Sequence, residues 1–79
     1  MNNFVYIVRC ADGTLYTGWT NNLDERINAH NKGKGAKYTR SRLPVFLVYS
    51  ENCKNKSVAM KRECEIKNMT KAQKERLFE

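Results

Sequence analysis

The dipeptide Asp12-Gly13 stands between two short runs rich in β-branched and aromatic residues, and it constrains the fold more than any other feature of the chain. An aspartate-glycine pair flanked by such runs marks a tight hairpin, because glycine takes the left-handed backbone conformation that the turn needs. It predicts a strand over Phe4–Cys10 and a second, antiparallel strand over Thr14–Trp19. Helix signals follow. Asn22 with Glu25 three residues later resembles a capping box, and Asp24 and Glu25 suit the positive end of a helix dipole. A helix is therefore predicted over Leu23–Asn31, stopping at Gly33. Lys32 to Leu43 reads as a loop, and Pro44 introduces a third strand over Val45–Tyr49. A second helix is predicted over Lys56–Asn68, and Thr70 with Gln73 caps a last short one reaching Phe78. The order β-β-α-β-α-α places the chain in the α+β class, with a small, mainly antiparallel, three-stranded sheet flanked by helices.

Seventy-nine residues make one domain, 1–79, with a thin core and no room for a separate cofactor domain, so no small-molecule cofactor is expected. No apolar run approaches the ~18 residues of a membrane span, and no basic-then-apolar leader opens the chain. Cys10, Cys53 and Cys64 cannot all pair within one chain. They form no CxxC element and are joined by a single histidine, which argues against structural zinc. Reduced thiols and a cytoplasmic location, with no membrane partner, are the expectation.

Fifteen Lys and Arg against eight Asp and Glu give a net charge of +7, which suggests a polyanionic partner. From Arg26 to Ser50 there is no acidic residue. Lys32, Lys34, Lys37, Tyr38, Arg40 and Arg42 fall in that stretch, and basic side chains interleaved with an aromatic fit a nucleic-acid backbone. Gly33 and Gly35 would let the loop approach a phosphate closely, and a merely solvated charged loop is the alternative. Arg26 and His30 are four residues apart on the first helix, on a face that adjoins the apolar stripe of Leu23 and Ile27 without joining it. On the second helix Ala59, Met60, Cys64 and Ile66 define an arc with Glu63 near its middle. A carboxylate there calls for a metal ion or for an ion pair with Lys67 one turn on.

Phe4-Val5-Tyr6 and Tyr16-Thr17-Gly18, followed by Arg26, His30 and the segment Ala59-Met60-Lys61-Arg62-Glu63, resemble the motifs of the GIY-YIG nuclease superfamily. The resemblance runs from Phe4 to about Leu77 and is nearest to the small single-domain bacterial members of the YhbQ-like group. Phe4 replaces the first motif's glycine and Thr17 the second motif's isoleucine. An asparagine that several members carry after the glutamate has no match. The resemblance implies a metal-dependent endonuclease acting on DNA, directed by structure or damage and so fitted to DNA repair. It implies Mg²⁺ or Mn²⁺ held by Glu63, Arg26 bracing the scissile phosphate, and Tyr6 or Tyr16 taking the proton of the attacking water. His30 and Tyr38 would orient the phosphate or relay a proton. Tyrosine ionises near pH ~10, so a tyrosine base needs positive charge nearby. A nucleic-acid-binding module without cleavage is the alternative, and a protein-binding adaptor a more distant one. A joint site requires Tyr6 and Tyr16 on one face of the hairpin. A three-residue turn, Ala11-Asp12-Gly13, meets that requirement by pairing Val8 with Tyr16, whereas a two-residue turn would put the phenols on opposite faces.

Overall fold

The computed structural model describes residues 2–79. The elements are β1 (Asn3–Arg9), β2 (Leu15–Thr20), α1 (Leu23–Asn31), α2 (Lys37–Arg40), β3 (Phe46–Cys53), α3 (Lys56–Lys67) and α4 (Lys71–Arg76). The fold is α+β. A three-stranded sheet in the order β2-β1-β3, antiparallel throughout, carries helices on both faces.

β1 is the middle strand, and Val5, Tyr6, Ile7 and Val8 are all fully buried. A strand covered on both faces needs a continuous apolar run rather than an alternating one, and this run supplies it. Val5 and Ile7 pack on one face with Ala59 and Ile66 of α3. Tyr6 and Val8 lie on the other face, with Leu23 and Ile27 of α1.

The hairpin takes the three-residue turn. Cys10 N–H donates to Thr14 O at 2.8 Å, Gly13 adopts φ +85°, and Val8 pairs with Tyr16 while Tyr6 pairs with Gly18. Asp12 supports the turn by accepting from the Thr14 hydroxyl and backbone N–H.

α1 begins and ends where the sequence predicts, but its cap is not a capping box. Glu25 N–H donates to Asn22 Oδ1 at 3.2 Å, whereas the Glu25 carboxylate takes the Asn22 side-chain amide. The backbone N–H of Asn22 is already given to Thr20 Oγ1. Gly33 has a structural task at the end of the helix. At φ +77° it closes α1 in a Schellman arrangement, with Gly33 N–H on His30 O and Lys34 N–H on Ala29 O.

Three further predictions need correction. β3 extends to Cys53 rather than ending at Tyr49, because Ser50, Glu51 and Asn52 are held by the β1 ladder despite weak strand propensity. The loop over Lys32 to Leu43 contains the one-turn helix α2, turned so that Thr39 is buried. On α3 the inward face is Ala59 and Ile66 with Glu63 partly covered, and Met60 and Cys64 point to solvent. The apolar character of Met60 and Cys64 had drawn the predicted arc too wide.

Thr17 Oγ1 is buried without a hydrogen-bond partner among the described residues. An unsatisfied buried hydroxyl costs about 1–3 kcal/mol. Thr17→Val keeps the shape and removes that hydroxyl. It is expected to stabilise the protein by about 1 kcal/mol, raising Tm by roughly 4–8 °C. A lower Tm by calorimetry would mean that the hydroxyl has a partner.

Candidate active site

β1 and β2 deliver Tyr6 and Tyr16 to the face covered by α1. Tyr6 is fully buried, and glycine at position 18 makes this possible. A Cβ on Gly18 would lie 2.6 Å from the Tyr6 hydroxyl, so only glycine opposite lets the phenol lie flat across β2. The Tyr6 hydroxyl meets His30 Nε2 at 2.8 Å and accepts from Arg26 Nε at 3.3 Å. One helix face of α1 thus supplies both partners of the phenol, as the four-residue spacing of Arg26 and His30 requires.

His30 lies fully inside the protein rather than on a face that merely adjoins the apolar stripe, and it has no open nitrogen with which to meet a phosphate. Its Nδ1 lies 2.9 Å from Thr39 Oγ1, and Thr39 donates to Ala36 O at 3.0 Å. Gly35 backs the ring so closely that any Cβ there would collide with the imidazole. That contact alone requires glycine at this position.

Tyr16 is only partly buried. Its ring meets His30 edge-on at 5.6 Å and stacks on Tyr38 at 5.9 Å with planes 20° apart. Arg42 lies over the Tyr38 ring, 4.0 Å from its centroid, and its Nε pairs with Asp12 at 3.0 Å. Arg42 is therefore engaged in tying the basic loop to the hairpin turn. Lys32, Lys34, Lys37 and Arg40 are exposed, and Tyr38 is more than a third exposed.

Glu63 approaches from α3. Its carboxylate lies 3.7 Å from Lys67 Nζ, and Lys67 Nζ lies 6.0 Å from the centre of the Tyr16 ring. Among the described residues no three His, Cys, Asp or Glu side chains gather as a metal cage. The chain offers one carboxylate, with the remaining positions left to water and substrate oxygens. Such a donor set fits Mg²⁺, which keeps several of its waters.

The electrostatics follow from burial. Burial raises the pKa of Tyr6 above the usual value, against the lowering effect of the Arg26 hydrogen bond and charge, and the charges of Tyr16 and Glu63 add to the rise. Burial also lowers the pKa of His30, helped by the positive charge of Arg26. Both groups are thereby held neutral around pH 7.

A family model described as the GIY-YIG catalytic domain matches residues 2–76. The chain belongs to the GIY-YIG family. Relatives at this level carry the name UPF0213. One from Clostridium perfringens is 60% identical over 96% of this chain and 82% of its own. One from Natronomonas pharaonis is 54% identical over 96% of this chain and 89% of its own. The solution NMR structure of the UPF0213 protein from Bacillus halodurans matches with TM-score 0.61 and 48% identity, covering 98% of this chain and 82% of that one. That of an E. faecalis protein matches with TM-score 0.65 and 37% identity, covering 96% and 81%.

Within the GIY-YIG frame, the sequence motifs locate Tyr6, Tyr16, Arg26, His30 and Glu63, and the structure gathers the first four around the Tyr6 hydroxyl and the His30 ring. Thr39 was missed, and Gly35 was singled out for a phosphate rather than for its packing on His30. Nothing in the local pattern of Gly35-Ala36-Lys37-Tyr38-Thr39 marks a buried threonine, because its partner lies nine residues back on another element.

The lowered pKa of His30 makes a pH prediction. As pH falls below the usual value of 6.5, the unfolded chain takes up the imidazole proton before the folded one does. The unfolded state then binds more protons, so stability falls with falling pH from about 6.5 down to the folded-state pKa. The urea midpoint is expected to be lower at pH 5.5 than at pH 7.5, and His30→Gln to flatten this limb of the profile. Equal midpoints for the wild-type protein at both pH values would contradict a neutral buried imidazole.

Proposed function

We propose that this protein is a metal-dependent endonuclease that hydrolyses DNA phosphodiester bonds. The observation that carries this reading is the placement of the Arg26 guanidinium, anchored through Nε on the buried Tyr6 hydroxyl, with Tyr16 on the same sheet face. A guanidinium fixed through Nε keeps its two terminal NH₂ groups for a phosphate. Membership of the GIY-YIG family supports the nuclease class, and the net charge of +7 supports a nucleic-acid partner.

Roles divide by exposure. Tyr6, buried and hydrogen-bonded, serves to position Arg26 rather than to meet water. Tyr16 is the phenol open to the site, with the positive charge of Lys67 beside its ring, and takes the proton from the attacking water. Arg26 stabilises charge developing on the phosphoryl oxygens. Glu63 would hold the divalent ion, Mg²⁺ or Mn²⁺, which when bound supplies positive charge at the phosphate. Lys32, Lys34, Lys37 and Arg40 hold the flanking backbone. We read the substrate as structured or damaged DNA and the role as a part in DNA repair. The unpaired cysteines fit a reducing cytoplasm.

The Glu63–Lys67 ion pair gives a second reading some support, a nucleic-acid-binding module without cleavage. Metal dependence separates the two. With flap and junction DNAs in Mg²⁺, the wild-type protein is expected to cut, and EDTA to stop it. Glu63→Gln is expected to abolish cutting while leaving DNA affinity within about twofold. Tyr16→Phe should lose roughly 10²-fold or more in rate, and Tyr6→Phe about tenfold, the worth of one lost hydrogen bond. Cutting by Glu63→Gln at the wild-type rate would remove the metal assignment. A larger loss from Tyr6→Phe than from Tyr16→Phe would exchange the tyrosine roles.

Affinity is expected to reside in the basic loop. Replacing Lys34, Lys37 and Arg40 together with Ala should weaken binding alike across sequences. It should also flatten the plot of log affinity against log salt by about one unit per lost phosphate contact. An unchanged slope would move the footprint to the lysines of α3 and α4.

A further inference from the structure

We propose that Thr39 is a positioning residue that fixes the tautomer of His30, and so sets the direction of every hydrogen bond from the basic loop to Arg26. For its effect on cleavage this rests on the nuclease reading above. As a statement about proton placement it does not.

The direction follows from counting protons. Thr39 is fully buried and its hydroxyl has one hydrogen. Ala36 O lies 3.0 Å away and can only accept, and it takes that hydrogen beside the backbone N–H of Arg40 at 3.2 Å. Toward His30 Nδ1, at 2.9 Å, Thr39 Oγ1 must then accept, which puts the imidazole proton on Nδ1. Nε2 is left bare and accepts the Tyr6 hydroxyl proton at 2.8 Å. The lone pair of Tyr6 is then free to accept from Arg26 Nε at 3.3 Å. Each side-chain donor from Arg26 to Thr39 has an acceptor, and only the backbone N–H of Ala36 gives up its 3.4 Å contact with Nδ1.

The opposite tautomer fits worse. It would leave Nδ1 to accept from the Thr39 hydroxyl or from the backbone N–H of Ala36, the latter the longest contact of the set at 3.4 Å. It would also aim an Nε2 proton at Tyr6, whose own proton would then have no acceptor in a fully buried place. An orphaned buried hydroxyl is costly. Gly35 holds the ring plane against rotation, since the backbone lies directly on the imidazole. Thr39 thus acts through His30 and Tyr6, without touching the substrate.

The chain has a single histidine, so its ring nitrogens can be read without assignment ambiguity. Long-range ¹H–¹⁵N correlation at pH 7.5 distinguishes a protonated from a bare ring nitrogen. The wild-type protein is expected to show the proton on Nδ1, with a slowly exchanging Arg26 Nε–H signal. Thr39→Val is expected to shift the imidazole to a mixture of tautomers or to the Nε2 form and to lose the Arg26 signal. Thr39→Ser should restore both, which simple loss of packing would not do. If Thr39→Val does not give a dispersed amide spectrum, Thr39→Ala takes its place. In cleavage, Thr39→Val is expected to lower kcat about three- to tenfold with KM nearly unchanged, the worth of one net hydrogen bond. A wild-type proton on Nε2, or an unchanged Nδ1 proton in Thr39→Val, overturns the proposal. Absence of cleavage by every protein in Mg²⁺ and Mn²⁺, with the tautomer as expected, overturns the nuclease reading and leaves the role of Thr39 standing.

Discussion

The Tyr6 hydroxyl is buried in the middle of the sheet, and the surrounding structure is arranged to satisfy it. A phenol oxygen removed from water needs partners, and it finds them in His30 and Arg26 on successive turns of α1. That requirement fixes the rotation of α1 over the sheet and demands glycine at position 18. It extends outward through His30 to Thr39 and Ala36, so the loop after α1 folds back against the helix. The basic segment is therefore attached to the interior at one point, while its lysines face solvent.

A polar relay of this kind is sensitive to its weakest member. Each group is neutral, apart from the guanidinium at its outer end, and burial keeps the imidazole and the phenol in that state. Outside it, the Asp12–Arg42 pair and the Tyr38–Tyr16 stack join the hairpin turn to the same loop. The ion pair is largely exposed and contributes little stability, and the aromatic contact provides the packing. The loop is thus held by a buried hydrogen-bond network on one side and by a stack on the other.

Much of this was legible in the sequence. The Asp12-Gly13 turn and the demand for a shared face together selected the register that pairs Val8 with Tyr16. α1 was bounded correctly, because asparagine at its start and glycine past its end act through local backbone geometry. Features that depend on distant partners were not legible. β3 continues through Ser50, Glu51 and Asn52 because β1 is there to pair with them. Met60 and Cys64 looked apolar but lie beyond the edge of the buried face. His30 looked like a surface group beside Arg26, and only the fold shows that Gly35 and Thr39 enclose it. Gly33 and Gly35, alike in sequence, do unrelated things: one ends a helix through a positive φ, and the other makes room for a ring.

The central position of β1 also governs when the site comes into being. β1 leaves the ribosome before its partner β3, which ends at Cys53, paired with Asn3, and α3 with Glu63 follows later still. Contacts between such distant parts of a chain form late in folding, after the loop between them has closed. A nascent chain that has released only the hairpin and α1 has Tyr6, Tyr16, Arg26 and His30 but neither Thr39, the second sheet edge nor Glu63. A chain with +7 charge in synthesis beside RNA is in this way without its full set of candidate site residues until α3 has emerged.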